Sequence, residues 1–171
     1  GIGCEVIELD CNLDFTFPKY NPNPEDLKML HAISKTVKEN NADIGFGFDG
    51  DGDRLLVVDK EGKILDGDDL LYILVSTNLL RDDIQRYEGI VGTLMTNKSL
   101  ELFLDKEGID FSRTDVGDKY VLRELKERNW ILGGEPSGHI ICLDATTTSD
   151  ALIASLKVLE AIKDLNFDIS K

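Results

Sequence analysis

Basic residues are scarce in this 171-residue chain: 19 Lys and Arg stand against 33 Asp and Glu, for a formal net charge of −14. Residues 1–80 carry 7 basic and 16 acidic groups and the remainder 12 and 17, so neither part holds a basic stripe. That excludes nucleic acid as an ordinary partner, because phosphate backbones are gripped by clustered Lys and Arg. An anionic substrate must instead be met locally, by a metal, an arginine or helix amides, against the overall field. Long apolar runs are also missing. None approaches the ~20 residues needed to span a bilayer, and no secretory leader is legible, so no membrane partner is expected and the cytoplasm is the expected compartment. Cysteine is limited to Cys4, Cys11 and Cys142, an odd number without paired spacing, which argues against a disulfide framework or a zinc site. Cys142, inside the apolar run Ile140 to Leu143, reads as a small core hydrophobe. Proline numbers only four and apolar residues make up 42%, an ordinary globular composition rather than a disordered one.

What is present is concentrated in one stretch. Asp43 to Asp59 reads D-I-G-F-G-F-D-G-D-G-D-R-L-L-V-V-D. Two short β-rich runs, Ile44 to Phe48 and Leu55 to Val58, flank a loop of alternating carboxylates and glycines. Three carboxylates this close repel unless something positive lies among them; at 4 Å each pair costs roughly 4 kcal/mol at an effective dielectric of about 20. The glycines let the loop curl so that Asp49, Asp51 and Asp53 converge on one centre. Hard oxygen donors without His or Cys select Mg²⁺, Ca²⁺ or Mn²⁺ over Zn²⁺. Arg54 would then clamp a phosphate or partner a spare carboxylate. A plain acidic hairpin turn is the bland alternative. An EF-hand fails, since counting from Asp49 its Gly and Glu positions hold Arg54 and Lys60. A haloacid-dehalogenase-like phosphatase also places Asp-x-Asp after an apolar strand. It usually has Thr or Val where this chain has Asp53, and Asp68-Asp69 follows too closely for its second acidic pair.

Taken in order, the chain opens on a predicted strand, Glu5 to Leu9. After a long connection, Asn23 and Pro24 suit the start of a helix running to about Asn40, with Leu27, Leu30, Ile33, Ser34 and Val37 facing inward. His31 falls off that stripe and reads as a surface residue. Beyond the acidic loop, Ile64-Leu65 leads into a helix opened by Asp66 to Asp69 and ending near Leu80, and the polar break 81–83 marks the expected domain boundary. The second unit reads as strands at Gly89 to Met95, Ile109 to Thr114, Trp130 to Leu132 and His139 to Leu143. They alternate with helices at Lys98 to Lys106, Asp118 to Arg128 and Ser149 to Lys163. The last helix is expected to bury Leu152, Leu156, Leu159 and Ile162 behind an N-cap at Thr148 or Ser149.

The loop Gly133 to His139 gathers three glycines, a carboxylate, a hydroxyl and an imidazole. Glu135 and Ser137 can accept from and donate to adjacent sugar hydroxyls, and His139 can move a proton near neutrality. A Gly-rich hairpin whose His caps a carbonyl is the alternative. Gly117 and Asp118 open a helix whose amides can meet a phosphate, although Asp118 is equally good as an N-cap. Thr93 to Asn97 and Thr146 to Asp150 read mainly as turns and caps.

Together these residues resemble the α-D-phosphohexomutase family over essentially the whole chain. Asp43 to Asp53 with Arg54 looks like the family's Mg²⁺ loop, and Gly133-Gly134-Glu135-x-Ser137-Gly138-His139 looks like its sugar-recognition loop. Within the family the second unit is most similar to the hexosamine-phosphate branch, apart from Ser149 where a Gly is usual and Pro136 where a polar residue is. The first unit, through Thr16-Phe17-Pro18 and Asn21-Pro22-Asn23-Pro24, looks more like the mannose- and glucose-phosphate branch. The resemblance implies two consecutive three-layer α/β domains with mixed sheets, residues 1–80 and 81–171, the first truncated at its N-terminus. They would be the middle two of four, with the first and fourth domains as missing partners. It implies transfer of a phosphoryl group between C6 and C1 of a hexose or hexosamine phosphate through the 1,6-bisphosphate. Asp49, Asp51 and Asp53 would hold Mg²⁺, Arg54 would support the phosphate, Glu135 and Ser137 would hold sugar hydroxyls, and His139 would lie near the transferred proton. The phosphoserine nucleophile belongs to the first domain, so these 171 residues are expected to be inactive alone. The truncated opening is expected to bare a sheet edge and favour dimers. A phosphatase or a non-catalytic sugar-phosphate-binding module is the competing class.

Overall fold

The computed structural model describes residues 3–11 and 27–165. The connection through 12–26, including the expected helix start at Asn23 and Pro24, lies outside the described residues. The first unit begins with α1 (Leu27–Asn40) and a meander of β1 (Ile44–Phe48), β2 (Leu55–Asp59) and β3 (Ile64–Leu65), antiparallel throughout. Alternation along β1 decides its two faces. Ile44 and Phe46 pack toward the main core, whereas Gly45 and Gly47 face α1. A Cβ at Gly45 would stand 2.6 Å from the Ile33 side chain and 2.7 Å from that of Val37, so the bare strand surface is what admits the helix. Met29, Ile33 and Val37 of α1 close over Val58 of β2 there.

Two expectations for this unit are corrected. Glu5 to Leu9 forms no strand: Val6 is 75% exposed, and only Leu9 reaches the packing under α1. Leu27 is exposed and Met29 takes its place on the inner stripe of α1, while His31 is exposed as expected.

The second unit carries α2 (Gly67–Leu79), β4 (Gly89–Thr93), α3 (Lys98–Glu107), β5 (Asp110–Thr114), α4 (Asp118–Arg128), β6 (Leu132–Gly134), β7 (Ile140–Cys142) and α5 (Ala151–Asp164). Asp66 starts α2 with a capping box closed by Asp69, Asn97 caps α3, and Asp150 caps α5 in place of Ser149 or Thr148. The sheet order is β5-β4-β6-β7, with β4 parallel to both neighbours and β7 antiparallel at the edge. Because β5 lies on one side of β4 and β6 on the other, right-handed crossovers send α3 and α4 to opposite faces. Val91 and Ile141 meet Val121 and Leu125 of α4; Ile90, Leu132, Ile140 and Cys142 face α2, α3 and α5. The result is the expected α/β architecture with a mixed, three-layer second unit.

Here too the expected elements shift. The third strand of this sheet runs through Gly133 and Gly134 rather than from Trp130, which packs beside α4. On α5, Leu152 is 62% exposed and Leu156 is also exposed, while Ala151, Ala154, Val158, Ala161 and Ile162 are buried. Helix α2 packs directly on α5, and the small alanines are what let the two helices approach. Cys142 is buried as expected, and burial pushes its thiol up to about 12.

Candidate functional site

The acidic loop links β1 to β2 and is organised by its first carboxylate. Asp49 Oδ1 accepts from the backbone amides of Gly52 (3.0 Å), Asp53 (3.1 Å) and Arg54 (3.2 Å), and Oδ2 accepts from Arg54 Nε at 2.7 Å. Burial pushes the Asp49 carboxyl up, but the side-chain and backbone hydrogen bonds from Arg54 outweigh it and hold the group at about 2. Arg54 thus takes the second of its two expected roles, partnering a carboxylate through Nε. Burial and the neighbouring Asp49 raise the carboxyl of Asp53 above its usual range, which is the signature of two carboxylates sharing one site. One oxygen each from Asp49, Asp51 and Asp53 lies within 4.8 Å of the others. Asp49 is buried, Asp53 half-buried and Asp51 exposed, so the cluster opens to solvent on one side. Three hard oxygen donors, no sulfur or nitrogen, and mutual repulsion that a cation would relieve are the donor chemistry of a small divalent ion.

The second loop follows β6, at the point where the sheet's crossovers part to opposite faces; ligands of such sheets gather outside the carboxyl ends of the strands there. Glu135 is buried. Its Oε1 accepts from the Gly117 amide at 2.9 Å and its Oε2 lies 3.3 Å from His139 Nδ1. Burial raises the Glu135 carboxyl, yet the His139 contact and the Gly117 amide leave it below the usual range. The Gly117 amide, expected at a substrate phosphate, is therefore engaged in orienting Glu135, and Asp118 is the half-buried first residue of α4 beyond it. Ser137 Oγ stands 3.0 Å from His139 Nδ1.

His139 joins the two loops. Its Nε2 lies 3.2 Å from Asp53 Oδ2, and its backbone bridges that of Arg54 in antiparallel fashion. The hydrogen bond to Glu135 raises the imidazole above its ordinary value against the pull of burial, with the Asp53 charge adding to the rise. Each ring nitrogen thus faces a carboxylate, Nδ1 that of Glu135 and Nε2 that of Asp53. Beside it the Leu55 amide donates to the Gly138 carbonyl at 2.9 Å and the Gly67 amide to the Pro136 carbonyl at 3.2 Å. Gly138 has φ +99°, and a Cβ there would collide with the Leu55 carbonyl oxygen, so only glycine allows so close a join. Every residue predicted for the site falls within this one region, through residues 86 positions apart in sequence.

Two contributors escaped the sequence reading. Ser149 Oγ donates to the Asp53 carbonyl at 2.6 Å, and the Ala151 amide donates to the Gly52 carbonyl at 2.9 Å. Thr-Thr-Thr-Ser-Asp suggested only a helix entrance, and nothing local marks what that entrance faces.

The acidic loop thus offers the oxygen donors of a divalent cation, and the glycine-rich loop beside it offers a hydroxyl, a carboxylate and an imidazole. The chain belongs to the phosphoglucomutase/phosphomannomutase family: the model of its alpha/beta/alpha domain II matches residues 1–62 and that of domain III matches residues 66–171. Among individual relatives, the phosphoglucosamine mutase of Neisseria meningitidis serogroup C (strain 053442) is 47% identical over 171 residues, covering 99% of this chain and 37% of that protein. That of Pseudomonas fluorescens (strain Pf0-1) is 47% identical over 165 residues, covering 96% and 36%. The chain thus spans little more than a third of the length of the relatives it matches. In structure it is similar to a phosphoglucomutase/phosphomannomutase family protein of Burkholderia thailandensis, with a TM-score of 0.79 and 30% identity over 94% of this chain and 35% of that one.

Proposed function

We propose that these residues form the cation- and sugar-binding middle of a phosphohexomutase that moves a phosphoryl group between C6 and C1 of a hexosamine phosphate through its 1,6-bisphosphate. The observation that carries this reading is the His139 bridge. It sets the acidic loop and the glycine-rich loop side by side at 3.2 Å, as a site acting on one phosphosugar requires. Likeness to phosphoglucosamine mutases supports the hexosamine over mannose or glucose.

Asp49, Asp51 and Asp53 would hold Mg²⁺, which supplies charge stabilisation to a phosphoryl oxygen in transfer. The carbonyls of Gly52 and Asp53 are already hydrogen-bonded, which favours ligation by carboxylates and suits Mg²⁺ or Mn²⁺ better than the carbonyl-rich shells of Ca²⁺. Arg54 keeps Asp49 ionised and aimed, and so readies the pocket for a cation. Ser137 offers its hydroxyl to the sugar. Glu135, oriented by Gly117 and His139, supplies negative charge behind that contact, and His139 carries a proton on the edge where the two loops meet. Asp118, at the head of α4, lies within electrostatic reach of His139.

We place the seam between the two domains just after β3, at residue 66, rather than after residue 80, because α2 packs most extensively on α5 of the second unit. Among the described residues no helix is long and apolar enough to cross a membrane, and the three cysteines are unpaired, which fits a reducing cytoplasm. The phosphoserine expected on the family's first domain is not among these residues, which match domains II and III, so they alone should not turn over.

The test is a coupled assay on the full-length protein offered glucosamine, mannose and glucose 6-phosphates with Mg²⁺. Preference for the glucosamine substrate is expected. Steady release of inorganic phosphate without isomerisation would replace the mutase with a phosphatase, and preference for mannose phosphate would move the protein to the other branch.

A further inference from the structure

The loop proposed to bind the cation belongs to the first unit, yet its backbone is fastened by the second. Two successive carbonyls, those of Gly52 and Asp53, point at the entrance of α5. The Ala151 amide, one of the donors a helix start leaves without an intrahelical partner, is satisfied by Gly52 O at 2.9 Å. The Ser149 hydroxyl donates to Asp53 O at 2.6 Å. Ser149 is only 6% exposed, and its backbone is bridged to Ile141 on the edge strand β7, so the donor is mounted on the sheet rather than on a free loop.

Asp53 is thereby constrained on every side. Its amide donates to Asp49, its carbonyl accepts from Ser149, and one carboxylate oxygen meets His139. Little is left to adjust when a cation arrives. Both holds on it come from across the domain seam, His139 on the carboxylate and Ser149 on the peptide.

We propose that Ser149 is a positioning residue for the cation site: its hydroxyl fixes the Asp53 peptide so that the Asp53 carboxylate is preorganised beside Asp49 and Asp51. The α5 entrance thus couples the second domain to metal affinity in the first. This inference rests on the reading of the three aspartates as a cation site, and the two can fail separately. Outer contacts of this kind commonly change metal affinity 10- to 100-fold when removed. Because the hydroxyl touches a backbone carbonyl and not the ion, the lower end of that range applies.

The probe is Mn²⁺, titrated into the full-length protein and followed by the electron paramagnetic resonance of the free ion, alongside urea unfolding in EDTA. Ser149→Ala is expected to weaken Mn²⁺ binding about tenfold, with a modest fall in the metal-free unfolding midpoint from the lost buried hydrogen bond. Ser149→Thr, which keeps the donor, is expected to bind as wild type does. Unchanged affinity in Ser149→Ala would overturn the inference, whether or not the midpoint falls. Equal weakening in Ser149→Thr would also count against it. If wild type binds no Mn²⁺, or Asp51→Asn binds it as tightly as wild type, the cation reading itself fails.

Discussion

Asp49 and Asp51 stand two residues apart in one loop, but removing them should have very unequal consequences for a metal-free protein. Asp49 accepts three backbone amides and the Arg54 guanidinium, with a side chain that is 1% exposed. The Arg54 contact is a charge-assisted hydrogen bond at 2.7 Å, worth about 1.5–3 kcal/mol. Truncation also strands the three amides, although the partly open loop lets water recover some of that loss. Asp49→Ala should therefore cost about 3 kcal/mol. For a chain of this size that is a fall of roughly 10 °C in Tm. Asp51 is exposed, and its charge only adds to local repulsion, so Asp51→Ala should change stability by less than about 0.5 kcal/mol. The assay is urea unfolding of both variants in EDTA, followed by Mn²⁺ titration, in which both lose binding. Equal destabilisation by the two substitutions would refute the division of labour argued for the loop, as would a metal-free Asp49→Ala as stable as wild type.

Two other perturbations address the frame around the site. Gly138→Ala forces a side chain into a φ of +99° against the Leu55 carbonyl and should cost roughly 2–4 kcal/mol, so a variant as stable as wild type by urea unfolding would mean the two loops are not so tightly joined. Asp68 is buried at the head of α2, with Oδ2 accepting from the Asn97 amide and Oδ1 lacking a hydrogen-bond partner, and burial raises its carboxyl above the ordinary value of 3.8. An acid raised on folding is easiest to keep in its protonated form, so its penalty is absent below pH 3.8 and grows as pH rises through the folded value. Asp68→Asn should accordingly gain stability relative to wild type as pH climbs from 3 to 7, and a difference that is flat with pH would contradict the assignment.

The parts of this protein legible in its sequence were those whose signals are local. The runs at Ile44 and Leu55 were bounded by Asp and Gly, and the capping chemistry of Asp66 and Asn97 stood within a few residues of the helices it begins. The acidic loop could be read because its three carboxylates and its arginine occupy six consecutive positions. Glu5 to Leu9 shows the limit of that approach: a β-rich run is a strand only if something pairs with it, and the described residues supply no partner. On α5 the eye follows large side chains to Leu152 and Leu156, whereas the buried face is set by α2, whose close approach selects Ala151, Ala154 and Ala161. Both periodicities are present in the sequence, and only packing chooses between them. Trp130 likewise drew the strand toward itself, while the backbone pairing needed the two glycines after Leu132. The fastening of Asp53 by Ser149 spans 96 positions and involves a backbone carbonyl, which no residue type announces.

The most direct measurement is anomalous diffraction from crystals of the full-length protein soaked in Mn²⁺. A single strong peak ringed by the carboxylates of Asp49, Asp51 and Asp53 is expected, with the carbonyls of Gly52 and Asp53 still hydrogen-bonded to Ala151 and Ser149. A peak held elsewhere, or an ion ligated by those carbonyls with the carboxylates turned away, would contradict it.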